Sequence, residues 1–268
     1  MKFYRKGFLT LALLCWAGMG GIRAQLIFPE SFIVLMDSSR QFRGTFSPEI
    51  KIQTQKDLLV EVSSLADVAL RIKENSLVLA HKLEFTSVGG NVALSGGYFF
   101  SKFKSRKGHR WMPESYAQLQ WANARGLELG YGVGANLRYA LRLQQRSGLY
   151  VGAGVFYEYE KWTYRGVRDE LLPVDRTPIL TRAVKFNLYG SWKQWFGDQY
   201  FLDLSVYHQA RFDELLSGAR LGSSTAFSWQ ISQYLRLGAR YQNIYDPDPV
   251  VPIRNWFHRF VTAFTVTL

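Results

Sequence analysis

Four histidines, His81, His109, His208 and His258, are the chain's candidates for general-base chemistry. Nucleophilic catalysis needs a hydroxyl or thiol held beside such a base. Ser223-Ser224 has no histidine brought beside it by spacing, and no Gly-x-Ser-x-Gly motif occurs. The one cysteine, Cys15, lies in an apolar N-terminal run, so a mature chain carries no thiolate and no disulfide. No His or Cys cluster has metal-ligand spacing. Gly130, Gly132 and Gly134 recur at intervals of two, which is not a dinucleotide fingerprint. The sequence therefore points to no catalytic residue, metal or cofactor, and to a protein that is not an enzyme. What it does carry is charge of both signs on one side of its segments: Glu114, Gln118 and Gln120; then Glu128, Arg138 and Arg142; then Glu158 and Glu160; then Lys185, Asp203 and Arg211; and last Arg220, Arg236 and Arg240. Such a face can fill an interior as salt bridges and water, or line a conduction path with fixed charge. Arginines concentrate toward the sixth and the ninth to twelfth segments and acids toward the second to seventh, so a transverse field across the interior is expected.

The elements that must position these residues are strands. Between 127 and 143 every second residue (Leu127, Leu129, Tyr131, Val133, Ala135, Leu137, Tyr139, Leu141, Leu143) is apolar or aromatic. The intervening residues are charged, polar or small, and a period of two is a strand with two different faces. After a short turn at 144–148 the alternation resumes and runs to Glu160. Soluble strands average about five or six residues, whereas long two-faced strands joined by short turns build transmembrane barrels. About twelve such segments follow one another from residue 43 to the C-terminus, the first interrupted by Pro48. With the N-terminus in the periplasm, the two longest loops, 163–178 and 246–252, fall on the external side and the inward turns are short. The fold class is thus all-β: an antiparallel transmembrane β-barrel of about twelve strands after a cleaved signal peptide. In this register His81 and His208 lie on the apolar face, His109 in a periplasmic turn and His258 near the external rim.

Composition agrees with this class. The 268 residues are 47% hydrophobic and 16% aromatic, with 23 glycines. No later stretch is an apolar run long enough for a spanning helix. Residues 1–24 read as a signal peptide: a basic start at Lys2, Arg5 and Lys6, an apolar run from Phe8 to Met19, and small Ala24 at the cleavage point. Residues 25–42 read as a periplasmic lead-in and 43–268 as the barrel. Net charge is +12, and +8 once Lys2, Arg5, Lys6 and Arg23 leave with the signal. The basic residues are spread over strands and turns, so lipopolysaccharide contact or an anion-attracting lumen suits them better than nucleic acid. The expected partners are outer-membrane lipid and lipopolysaccharide, and the barrel-assembly machinery through an amphipathic last strand ending at Leu268, where a terminal aromatic is more usual.

Certain segments are similar to a known family. They are Arg110-Trp111-Met112-Pro113-Glu114-Ser115-Tyr116-Ala117-Gln118-Leu119-Gln120, Gly132-Val133-Gly134-Ala135-Asn136-Leu137-Arg138, and 148–160 with its Tyr157-Glu158-Tyr159-Glu160. From about Arg43 the chain resembles the outer-membrane barrel family labelled DUF481, or salt-induced outer membrane protein, in its Bacteroidota form. It departs from that family at Pro113. The resemblance implies an outer-membrane barrel of a Gram-negative bacterium and implies no activity.

Three functions are open to such a chain. The first is a structural barrel or narrow, porin-like passive channel for small solutes with a charged lumen. The second is a recognition or assembly protein acting through loops 163–178 and 246–252. The third is a lipid-modifying enzyme, for which the sequence supplies no nucleophile beside a base.

Overall fold

In the computed structural model the described residues are 42–54, 58–105, 109–232 and 235–266. The readings made for the signal peptide, the lead-in and Leu268 lie outside them. Twelve strands form one antiparallel sheet in which every strand pairs with its neighbours in sequence. They are β1 (Phe42–Thr54), β2 (Leu58–Ile72), β3 (Asn75–Val88), β4 (Asn91–Lys104), β5 (Trp111–Ala122), β6 (Leu127–Gln144), β7 (Ser147–Trp162), β8 (Ile179–Phe196), β9 (Tyr200–Arg211), β10 (Arg220–Gln230), β11 (Leu235–Tyr245) and β12 (Trp256–Val266). Lengths of 11 to 18 residues reach or exceed the roughly 9–11 that a tilted strand needs to cross a bilayer. Pro48 sits in β1, an end strand of the sheet order, where a missing ladder donor is tolerated. Pro113 lies one residue beyond the Lys104↔Glu114 pair that ends the β4–β5 ladder.

The sheet curls until side chains from distant strands meet inside it. The Tyr189 hydroxyl in β8 donates to Glu114 in β5 at 2.6 Å. Arg220 in β10 reaches Glu158 in β7 at 3.4 Å, and Asp67 in β2 senses the charge of Arg240 in β11. Contacts between strands two or more apart in the sheet order require a strongly curled, barrel-like sheet.

The outer surface has a membrane protein's inverted polarity. Along its middle stand Val133 (58% exposed), Val206, Val184, Leu137 and Leu188, all exposed. A band of this kind would aggregate in water. Aromatic side chains flank it at both ends. Trp111 stacks near Tyr139 (4.5 Å), and Tyr200 lies by Phe227 and Trp229, all at the end where chain reversals are short. Tyr131 stacks on Tyr159 at 4.8 Å and Tyr245 packs on Trp256 at 4.7 Å at the other end. Two aromatic girdles around an apolar band are the signature of a transmembrane barrel. The long connections 163–178, 212–219 and 246–255 all emerge at that second end, hereafter the long-loop mouth.

Candidate functional site

The interior is layered. Near the short-turn end, Glu114 in β5 is wholly buried and accepts from Lys102 at 3.0 Å, with Lys104 and Arg138 each at 3.5 Å. Arg138 in turn lays its guanidinium 3.8 Å above the Tyr150 ring. Lys193 and Asp203 pair at the same end. A middle layer is uncharged: Gln209 donates to Asn187 (3.3 Å), which donates to Asn136 (3.2 Å). Toward the long-loop mouth, Glu158 binds Lys185 at 2.5 Å and Arg220 at 3.4 Å. Arg220 also meets Glu160 at 3.7 Å and Asp246, from the loop after β11, at 3.1 Å.

Glycines set how much space remains. A Cβ on Gly152 would lie 2.3 Å from the Tyr189 ring, and one on Gly134 2.5 Å from Phe156. The glycine positions of β6 and β7 are therefore occupied by neighbouring aromatic and amide side chains, Gln118 over Gly132 and Gln120 over Gly130 among them. These side chains fill the space that the glycines leave inside the sheet.

The remaining sequence-derived positions fall as follows. Gln120, Arg138, Glu158, Glu160 and Asp203 are buried, and Gln118, Lys185, Arg220, Arg236 and Arg240 are partly buried. Arg236 donates to Gln230 at 2.8 Å. Arg211, at the end of β9, is exposed and forms a local fork with Asp213. The hydrogen bond from Arg211 holds the Asp213 carboxyl below its usual range. Two positions depart from the expected alternation. A bulge between Leu127 and Leu129 turns Glu128 outward, where it is exposed and bonds Lys161 at 2.9 Å. Leu127 is buried in its stead. A second bulge between Ala140 and Arg142 aligns Arg142 with exposed Leu149, and Arg142 is exposed too. An extra residue in a strand reverses its faces, so strict counting by two misplaces both side chains.

The long-loop mouth holds what periodicity could not find. The 3-10 turn Asn123–Arg125 joins β5 to β6. Thr163 donates its N–H to Gly126 O at 2.7 Å and docks the start of loop 163–178 on that turn. Gly126 (φ +84°) and Gly166 (φ +80°) carry the contact: a Cβ on either would lie 2.1 Å from a backbone carbonyl, of Thr163 and Ala124 respectively. Only glycine combines a left-handed φ with so close an approach. Ala122, Leu127, Trp162, Val167 and Val251 pack together at this mouth as an apolar cap. Arg125 is buried within it, its guanidinium 4.9 Å from the Phe257 ring and 5.7 Å from that of Trp162. Burial, reinforced by the charge of Arg220, draws its pKa down to about 10 against the pull of Glu160 and Asp246.

On the outer face the fold brings together one serine and histidine that the sequence does not: Ser64 Oγ and His81 Nε2 lie 3.0 Å apart. The His81 ring has the Phe46 and Phe99 rings beside it at 6.5 and 5.9 Å. Ser64 is six residues from one end of β2 and eight from the other, some ~20–25 Å along the strand at about 3.3 Å per residue. That depth faces acyl chains and not the ester groups a hydrolase would attack. A hydrogen bond that satisfies an imidazole in lipid accounts for the pair. Among the described residues no group of acidic, histidine or cysteine side chains could hold a metal.

No protein-family model and no curated protein matches this chain. Solved structures do. The NanC porin aligns over 85% of this chain and 98% of its own at 8% identity and TM-score 0.44. The Pseudomonas putida toluene transporter TodX aligns over 93% and 87% at 8% identity and TM-score 0.43. Copper transporter OprC aligns over 84% of this chain and 42% of its own at 12% identity and TM-score 0.30. This chain is similar to each of them at that level and takes no function from any.

Proposed function

We propose that the protein is an outer-membrane β-barrel of a Gram-negative bacterium that serves as a narrow passive channel for small solutes and favours anions. The observation that carries this reading is the layered ion network inside the barrel, Glu114 with Lys102 and Arg138 at one end and Glu158 with Lys185 and Arg220 at the other. A barrel kept only as a wall has no need of it, since replacing buried ion pairs by well-packed apolar side chains is often neutral or stabilising. Fixed charges of both signs along a bore are what an ion or polar solute needs to shed water stepwise. The apolar band and twin girdles support the membrane setting, and the side with short reversals then faces the periplasm. The net charge of +8 that remains once Lys2, Arg5, Lys6 and Arg23 leave with the signal supports the anion preference.

Reconstitution in planar bilayers tests this. The wild type is expected to show small conductance steps with reversal potentials displaced toward anions, and deletion of residues 167–176 to enlarge the steps. Silence of both proteins at every voltage would remove the channel reading. A second reading, recognition through the loops, is favoured by Leu171, Val174 and Leu216, which project exposed from the long-loop mouth.

A further inference from the structure

Arg125 is a buried cation whose donors are not all met by acceptors among the described residues. It is only 8% exposed, and its Nε and Nη1 donors have no hydrogen-bond partner. A buried N–H without an acceptor is costly, and more so on a charged group. The Phe257 and Trp162 rings attract the cation but supply no acceptor in the guanidinium plane. The nearest acids are already engaged: Asp246 takes Arg220 at 3.1 Å, and Glu160 takes the Trp162 indole N–H at 3.0 Å. Gly126 and Gly166 hold the loop against the turn that carries Arg125 at backbone contact distance. The fold thus places a buried guanidinium at the mouth within reach of the charges of Glu160 and Asp246, with no acceptor for its Nε and Nη1 donors among the described residues.

We propose that Arg125 binds the carboxylate of a small solute at the long-loop mouth, with Trp162 and Phe257 as the apolar walls beside it. The site deepens the channel reading and rests on it for its purpose, as the point where an anionic solute is first held. A carboxylate fits better than a phosphate dianion. The local charges Arg125, Arg220 and Lys185 balance Glu158, Glu160 and Asp246, so a single added negative charge is tolerated more readily than two. A guanidinium donates two parallel hydrogen bonds to a planar carboxylate.

The test uses the full chain folded in detergent micelles. Sodium acetate and propionate are titrated by calorimetry, and in parallel by tryptophan fluorescence referenced to Trp162→Phe. Chloride at equal ionic strength and inorganic phosphate serve as the other arms. Saturable acetate binding is expected, weakened at least tenfold in Arg125→Gln and less in Arg125→Lys, with resistance to SDS at room temperature as the folding control. No saturable binding to the wild type would overturn the site, as would equal affinity of chloride or phosphate, or unchanged affinity in folded Arg125→Gln. If Arg125→Gln does not fold, Arg125→Lys and the wild-type ion series decide the matter alone. Binding without conductance would sink the channel and keep the site; conductance without carboxylate binding would sink the site and keep the channel.

Discussion

Glu114 and Glu128 both pair with a lysine, yet they carry very different weight. Glu114 is fully enclosed among Lys102, Lys104, Arg138 and Tyr189. Removing its charge strands several cations in the interior, and breaking such a buried pair costs about 3–5 kcal/mol. Glu114→Gln should lose about that much stability in urea unfolding from micelles. Glu128 lies outside with Lys161 at 2.9 Å, its side chain 46% exposed, where a pair contributes less than about 1 kcal/mol. Glu128→Gln should unfold within that margin of the wild type. A large effect at Glu128, or none at Glu114, would contradict the placement of the two. Both glutamates are legible as alternating charges; which of them is enclosed is not, because a single unpaired residue at the bulge decides it.

At the scale of elements, strands and connections differ in how much the sequence discloses. The period of two locates β6 and β7 nearly to the residue, since each face meets a different solvent throughout. The bulges leave no mark in that period. Nor does the docking of loop 163–178 on the turn Asn123–Arg125, which depends on Gly126 and Gly166 meeting carbonyls across 40 residues of chain. Gly126→Ala combines a strained φ with a clash against Thr163 O, so the cap should open. Limited proteolysis of intact barrels should then cut within 163–178 several-fold faster than in the wild type, while the barrel fragment stays folded. Equal cleavage rates would mean that the loop is held some other way. Tyr189 gives a parallel case inside the bore: Gly152→Ala would put a Cβ 2.3 Å from its ring. Overpacking of this kind costs about 1–3 kcal/mol, and denaturation in micelles should register it.

For the whole molecule, the decisive property is an outside that is apolar and an inside that is charged. Val133 stands in the middle of the outer band at 58% exposure. Val133→Lys should cost about 2–4 kcal/mol in lipid, as a cation at the midplane of a barrel does, and much less in detergent micelles that deform around it. Equal costs in the two media would argue against a bilayer-spanning orientation. The class of fold, the number of strands and the side with long loops were all readable from the amino-acid sequence, because alternation against two solvents is a local property repeated along the chain. The serine beside His81, the layers around Glu114 and Arg220, and the burial of Arg125 were not. Each joins residues far apart in sequence, such as Glu158 with Arg220 and Arg125 with Phe257. Their meeting depends on how tightly the sheet curls and where its bulges fall. The sequence alone determined which solvent each strand face prefers; only the tertiary structure decided which charges meet and that Arg125 is buried with donors no described acceptor meets.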